Sequence, residues 1–355
     1  MGRVRRVVRV SLPVVAGVVV LAAVAGGGYV YRNVSYAERD ADAVRAAGFT
    51  EKQAIVNGSL MNYAEGPDHG PPLLLIHGQS TDWRNWSRVL PGLAERYHVF
   101  AVDCYGHGRS ARVPEKYTAQ ALAADARRFL TQVVKEPAVV AGHSSGGLVA
   151  AALAADAPDQ VRAVVLEDPP FFSSVLPRAE RTFNYVALAR PAHDFLRSGE
   201  TDFTAYQIRH SAIWDLFKGA KQSIQDHALT YRKEIPDEPL MLFYMPPELN
   251  EAFRAMDSYD PRFGEAFYDN DFHRGFDHAG TLSRIRVPAV LIHVIDRYDD
   301  NGVLLAAMSA EDAQRARSSL TDVRFYQADS GHGFHFERPG EFDHIMRDLE
   351  ARLRK

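Results

Sequence analysis

Cysteine is almost missing from this chain: Cys104 is the single one. One cysteine closes no internal disulfide and builds no multi-cysteine zinc site, so the fold does not depend on a redox compartment. An excess of either charge is missing too. Lys and Arg number 41 against 45 Asp and Glu, a formal net charge of −4. That mild acidity gives no basis for a nucleic-acid partner, because polyanion binding needs a concentrated basic surface. There is no internal repeat and, beyond the amino terminus, no low-complexity segment. The H-E-x-x-H pattern of helical zinc sites is absent, and no EF-hand alternation occurs, so no metal and no other cofactor is expected. What is present is ordinary globular composition, with 46% hydrophobic and 24% charged residues over 355 positions. That length holds a large core in one or two domains.

Arg3, Arg5, Arg6 and Arg9 precede Val10–Tyr31, 22 residues without a charge. A helix of that length spans roughly 33 Å, about one hydrocarbon core. Two readings follow. One is a signal anchor with its amino end in the cytoplasm. The other is a cleavable signal peptide, with Ala23-Val24-Ala25 as the small-residue site. Either places the body of the chain outside the cytoplasmic membrane, anchored or secreted. The basic cluster argues against this segment as part of a core.

In the body, Gln53–Val56 and Leu60–Tyr63 flank Asn57-Gly58, a hairpin signal. Apolar runs at Leu73–Ile76, His98–Val102, Ala138–Ala141, Ala163–Leu166, Ala289–Ile295 and Val323–Gln327 predict buried strands. Helical patterns at Thr118–Val134, Leu148–Ala157 and Phe342–Leu349 alternate with them. The alternation predicts a mostly parallel sheet with helices on both faces. It breaks between about Phe171 and Gly280, an aromatic-rich stretch without strand runs, which reads as a helical insertion over the sheet.

The strand Ala138–Ala141 runs into Gly142-His143-Ser144-Ser145-Gly146-Gly147 with a helix after it. This is G-x-S-x-G in its strand, turn and helix context. Gly142 and Gly146 flank a turn too tight for side chains, and Ser144 comes to a helix amino terminus. Three further motifs end strands: Ile76-His77-Gly78-Gln79, Asp103-Cys104-Tyr105-Gly106-His107-Gly108, and Asp329-Ser330-Gly331-His332-Gly333.

Together, in this order, the four motifs resemble the α/β-hydrolase superfamily from about Ala54 to Leu349, in its capped, epoxide-hydrolase-like form. The resemblance implies an α/β fold: a mostly parallel sheet flanked by helices, a helical cap and, ahead of them, the amino-terminal hydrophobic helix. The division expected is 1–36 as anchor or signal peptide, 37–170 and 281–355 as the hydrolase core, and 171–280 as the cap. It also implies roles. Ser144 matches the nucleophile and His332 the general base. The backbone N–H groups of Gln79 and Ser145 match the oxyanion-hole donors. Epoxide hydrolases and haloalkane dehalogenases of the superfamily carry aspartate at the elbow. Serine there fits ester, thioester, lactone or amide cleavage better. A serine hydrolase of a small-molecule carboxylic ester, a lipophilic ester or lactone included, is the leading expectation. Carbon–carbon bond hydrolysis, perhydrolysis and a non-catalytic ligand-binding homologue stay open, as does the oligomeric state.

The acid departs from the family pattern. Asp296 follows the strand that usually precedes it, without the glycine-containing turn most relatives have there. Asp296 is the leading candidate. Asp299 or Asp300 would serve if the loop folds back, and Glu167 or Asp168 if the acid lies one strand earlier. Trp83 and Trp86, after the oxyanion loop, are candidates for a substrate-pocket wall or for plain packing. His77 and His143 read as packed, hydrogen-bonded residues, with His143 also a candidate for substrate contact. His335 with Glu337 lacks persuasive metal-ligand spacing. Cys104 reads as structural.

Overall fold

The computed structural model describes residues 12–354, with side chains inside the first helix described from Ala25 onward. The apolar runs become β-strands that exclude water on both faces. Leu73, Leu74, Leu75 and Ile76 are all buried, as are Ala138–Ala141. Alternate residues face opposite sides, so the sheet carries two cores: Leu74, Ile76 and Val140 point into one, Leu73, Leu75 and Val139 into the other. The eight strands are β1 (Thr50–Val56), β2 (Ser59–Glu65), β3 (Pro72–Ile76), β4 (His98–Val102), β5 (Ala138–His143), β6 (Val161–Glu167), β7 (Ala289–Val294) and β8 (Val323–Ala328). Asn57 and Gly58 both have positive φ and close the β1–β2 hairpin, as their sequence signals.

The sheet order is β1-β2-β4-β3-β5-β6-β7-β8. β1–β2 and β2–β4 pair antiparallel, and every later pair is parallel. The chain goes from β3 outward to β4 and then returns to place β5 on the other side of β3. Such a reversal opens a crevice at the carboxyl ends of the two strands, the usual ligand position in an open α/β sheet. Here those ends lead into Gly78-Gln79 and Ser144.

Thirteen helices are named along the described chain. The first, α1 (Leu12–Ala46), is followed by α2 (Leu90–Ala94), α3 (Ala119–Phe129) and α4 (Ser145–Asp156). Between β6 and β7 come α5 (Arg190–Ser198), α6 (Phe203–His210), α7 (Lys221–Glu234), α8 (Pro247–Arg254), α9 (Pro261–Tyr268) and α10 (His278–Arg284). α11 (Ala310–Ser319), α12 (Phe334–Glu337) and α13 (Pro339–Leu353) complete the core. The β6–β7 insertion is thus helical, and its aromatics mostly pack on one another. Phe267 stacks on Phe272 with ring centroids 4.1 Å apart, and Trp214 on Phe253 at 5.3 Å.

α1 runs unbroken through position 36, where a boundary was expected. Its later turns are part of the packed body. Asn33 and Tyr36 are buried. Asn33 Nδ2 donates to the Phe243 carbonyl at 3.0 Å, and the Tyr36 hydroxyl donates to Glu251 at 3.0 Å. Arg88 pairs with Asp40 at 3.0 Å. The arginine cluster and the beginning of the uncharged segment lie outside the described residues. Among the described residues no helix is long and apolar enough to cross a membrane.

Candidate active site

Ser144 sits between β5 and α4 with φ 53° and ψ −123°. A non-glycine residue held there is strained, and the surroundings show what holds it. Ser144 N donates to the Glu167 carbonyl at 2.9 Å, and Gly147 N donates to the Ser144 carbonyl at 2.9 Å. A Cβ on Gly142 would lie 2.2 Å from the Gly146 carbonyl oxygen, and one on Gly146 would lie 2.3 Å from that of Ile76. Both glycines are therefore required by space, and the turn lifts Ser144 to the floor of a cavity of about 380 Å³ beneath the cap.

Gln79 and Ser145 line the same cavity. Among the described residues neither of their backbone N–H groups has an acceptor within the protein. The Gly78–Gln79 peptide is pinned from behind. The Gly78 carbonyl accepts from His77 Nδ1 at 2.7 Å and from the Thr81 hydroxyl at 3.0 Å. Because the peptide is planar and trans, fixing its C=O fixes its N–H on the opposite side. His77 is itself locked, with Nε2 accepting from Cys104 N at 2.9 Å. Burial pushes its pKa down to about 4, so it stays a neutral ring with one donor and one acceptor. The cap holds the other end of Gln79: its side chain donates to Asn184 at 3.3 Å and accepts from the Tyr259 hydroxyl at 2.9 Å.

His332 also lines the cavity, and its Nδ1 lies 2.7 Å from Asp168 Oδ2. Asp168 follows β6 directly, at φ 39°, and is fully buried. Burial works to raise its pKa, but the nearby His293 and the hydrogen bond from His332 outweigh this and hold it below the usual carboxylate value. As a carboxylate it only accepts, so His332 Nδ1 carries the proton and Nε2 is left free as a base. Burial works to lower His332, and the hydrogen bond and charge of Asp168 overcome it, leaving the imidazole above 6.5. Ala307 N donates to the same Asp168 oxygen at 3.2 Å. His293 Nδ1 lies 3.5 Å from the other, Oδ1.

Asp296, the leading sequence candidate for the acid, is elsewhere. It is half-buried, and its Oδ2 accepts from Ala310 N at 3.1 Å at the start of α11. The reason is the missing turn after β7, which leaves the carboxylate on the loop rather than beneath His332. Asp299 accepts from Asn301 N and Val303 N within its own turn, and Asp300 is exposed beside Lys218. Glu167 faces away from His332 and accepts from His335 Nδ1 at 2.7 Å. Of the candidate acids only Asp168 meets His332.

The sequence pattern of the Alpha/beta hydrolase family matches residues 73–344. The chain belongs to the alpha/beta hydrolase family. The bifunctional epoxide hydrolase 2 of Sus scrofa is 26% identical over 305 residues, covering 78% of this chain and 51% of that protein. A soluble epoxide hydrolase of a Corynebacterium species is 34% identical over 119 residues, covering 34% of this chain and 41% of that one. The chain thus spans about a third to a half of the length of the curated relatives it matches. A crystal structure titled as a membrane phospholipase A, a bacterial virulence factor, superposes with a TM-score of 0.63 at 24% identity, covering 96% of this chain and 98% of that one. What the chain shares with these proteins is the α/β-hydrolase fold.

The remaining sequence candidates of this α/β-hydrolase fall into two groups. His143 lines the cavity, and its Nε2 donates to the His332 carbonyl at 3.0 Å. Burial, then the neighbouring His332, keeps it neutral. Trp83 and Trp86 do not wall this cavity. Trp83 Nε1 donates to Glu51 at 3.2 Å, and Trp86 stacks on His335 at 3.9 Å. Both indoles belong to the core that holds Leu73 and Leu75. His335 and Glu337 are spoken for: His335 by Glu167 and Asn85, Glu337 by Gly331 N at 2.8 Å. Cys104 is buried, and burial pushes its thiol up to about 12, which leaves it unreactive.

Sequence reasoning missed His293, Asn184 and Tyr259. Only His293 carries a legible signal, as the lone polar residue within the apolar run Ala289–Val294. The others lie in the cap, where no motif sets their spacing.

Proposed function

We propose that this protein hydrolyses a carboxylic ester through an acyl-enzyme intermediate. The observation that carries the reading is the 2.7 Å contact of Asp168 with His332, in the cavity that Ser144 enters from its strained turn. In this reading His332 Nε2 takes the Ser144 proton as Oγ attacks the ester carbonyl. The N–H groups of Gln79 and Ser145 receive the oxyanion, a stabilisation in which one donor is typically worth about 3 kcal/mol. His332 then gives the proton to the departing alcohol. In the second half it activates a water that releases the acid and regenerates Ser144. Asp168 holds the imidazole tautomer throughout.

A lipophilic substrate fits the cavity wall, where Leu188, Ile213, Leu249, Phe253, Met256 and Phe267 surround few polar groups. The test is hydrolysis of nitrophenyl esters from acetyl to long-chain acyl, beside Ser144→Ala. Turnover that disappears in the variant supports the reading. A folded protein inactive on every ester sinks it and directs attention to carbon–carbon bond substrates or to ligand sensing.

We also propose that the uncharged segment Val10–Tyr31 and the arginines before it direct the catalytic body across the cytoplasmic membrane, anchored or secreted. Fractionation of the full chain, with mass measurement of its amino terminus, separates an anchored form from a cleaved one. An intact chain in the soluble cytoplasm would refute both.

A further inference from the structure

Asp168 uses one carboxylate oxygen on His332. The other, Oδ1, is buried, and among the described residues it has no hydrogen-bond partner. What faces it is His293 on β7, whose Nδ1 lies 3.5 Å away. His293 is 1% exposed and stands in a strand whose other residues are all aliphatic. Both its ring nitrogens are buried, and neither has a hydrogen-bond partner among the described residues. A polar ring buried in an apolar strand costs stability unless something pairs with it. Strand pairing explains why the two residues meet. Glu167 is the register partner of Ile292, and Asp168 N donates to the Ile292 carbonyl at 2.8 Å. The next positions along the two parallel strands, Asp168 and His293, are therefore side by side. From β8, Phe325 stacks on the His293 imidazole with ring centroids 6.4 Å apart, and Arg317 lies over that phenyl ring.

We propose that His293 is a positioning residue for the Asp168–His332 pair, its Nδ1–H facing Oδ1 so that Oδ2 stays on His332 Nδ1. A carboxylate only accepts, so the nitrogen that faces it carries the proton. At 3.5 Å the contact is longer than a relaxed hydrogen bond, and catalytic contacts of this kind tighten in the reacting complex. Without the imidazole, Oδ1 would be buried with no donor near it, and the carboxylate could turn about its Cβ–Cγ bond. His332 would then be aimed less well, which lowers kcat. The Asp168–His332 pair would also hold its shared proton more tightly, because the anion loses a group that stabilised it. The other titratable groups around the pair are engaged elsewhere: Glu167 with His335, Glu337 with Gly331 N, and His143 with the His332 carbonyl. The inference rests on the ester-hydrolase reading for its kinetic readout, but the positioning itself does not.

The test compares two variants of the full chain in detergent. His293→Phe keeps a ring suited to the apolar strand and removes the donor. His293→Asn places an amide N–H near the position of Nδ1 and packs less well. On a nitrophenyl ester, His293→Phe should lower kcat about tenfold with KM little changed, and move the acid limb of kcat upward by about half a pH unit or more. His293→Asn should recover most of both. A residue that only packs predicts the opposite ranking, with Phe tolerated and Asn impaired. An acid limb unmoved in His293→Phe overturns the proposal, and so does a folded His293→Asn that does no better than Phe. The titration of His332, followed by carbon NMR of isotopically labelled imidazoles in Ser144→Ala, asks the same question without turnover. Its midpoint should rise when His293→Phe is added, and an unmoved midpoint overturns the proposal even if His293→Asn fails to fold. If wild-type protein turns over no ester while the midpoint responds to His293, the hydrolytic reading falls and the positioning role stands.

Discussion

Asp168 reaches His332 from the end of β6, with Oδ2 2.7 Å from Nδ1, across 164 positions of sequence. Its neighbour Glu167 holds His335, also at 2.7 Å. Two adjacent carboxylates at the end of one strand thus point to opposite sides and each fixes one histidine, but only the Asp168 pair opens on the cavity.

Replacing Asp168 by Asn should lower kcat on a nitrophenyl ester about 10³- to 10⁴-fold, with the fold intact by circular dichroism. An amide at that position favours the wrong imidazole tautomer and withdraws the charge that stabilises the imidazolium. Asp296→Asn should leave kcat within about twofold, since Asp296 only accepts from Ala310 N. The reverse ranking would restore the strand β7 acid.

The pH profile should report the same pair. Catalysis needs neutral His332, and Asp168 holds that imidazole above 6.5. Activity should therefore fall as pH drops through a value above 6.5. In Asp168→Asn the supporting charge is gone and burial dominates, so the residual activity should keep its level to lower pH. A stability signature accompanies it. A raised His332 contributes stability that is full below 6.5 and lost as pH rises through its folded pKa. The variant should lack that loss in urea titrations at successive pH values.

His77 is expected to act through the peptide it pins. His77→Phe frees the Gly78 carbonyl and lets the Gln79 N–H turn. The result should be a fall in kcat of about ten- to a hundredfold with KM little changed, short of the full loss of an oxyanion donor. Equal changes in both constants, or none, would argue that the ring only packs.

Arg254 is buried between two carboxylates, donating to Asp82 at 2.7 and 3.0 Å and to Glu251 at 2.8 and 2.9 Å. Burial works to raise Asp82, and the Arg254 charge holds it well below the usual carboxylate range. Arg254→Met leaves buried Glu251 without its cation and buried Asp82 with only the more exposed Arg84 at 3.2 Å, which should cost about 3–5 kcal/mol by urea unfolding. The variant's Asp82 would have a raised pKa, so its deficit should grow as pH rises from about 4 to 7. A deficit independent of pH would mean that lost packing, and not charge, is responsible.

The sequence by itself determined the strands, the elbow and the family, because each is written in contiguous residues. An apolar run such as Leu73–Ile76 has nowhere to go but a buried strand, and G-x-S-x-G needs its glycines where a Cβ would strike backbone. The residues proposed as nucleophile, base and oxyanion peptide are all read from motifs at strand ends. The acid did not, because nothing local distinguishes Asp168 from Asp296. Both follow a strand, and which one meets His332 depends on the direction the chain takes after β6 and β7. The roles of Trp83 and Trp86 were undecided for the same reason, since either side of an oxyanion loop accepts an indole. Tertiary structure alone also placed α1 on α8, through Tyr36 and Glu251, and brought His293 to Asp168. Contacts between residues far apart in sequence are set by how the layers stack, and side-chain spacing carries no record of that.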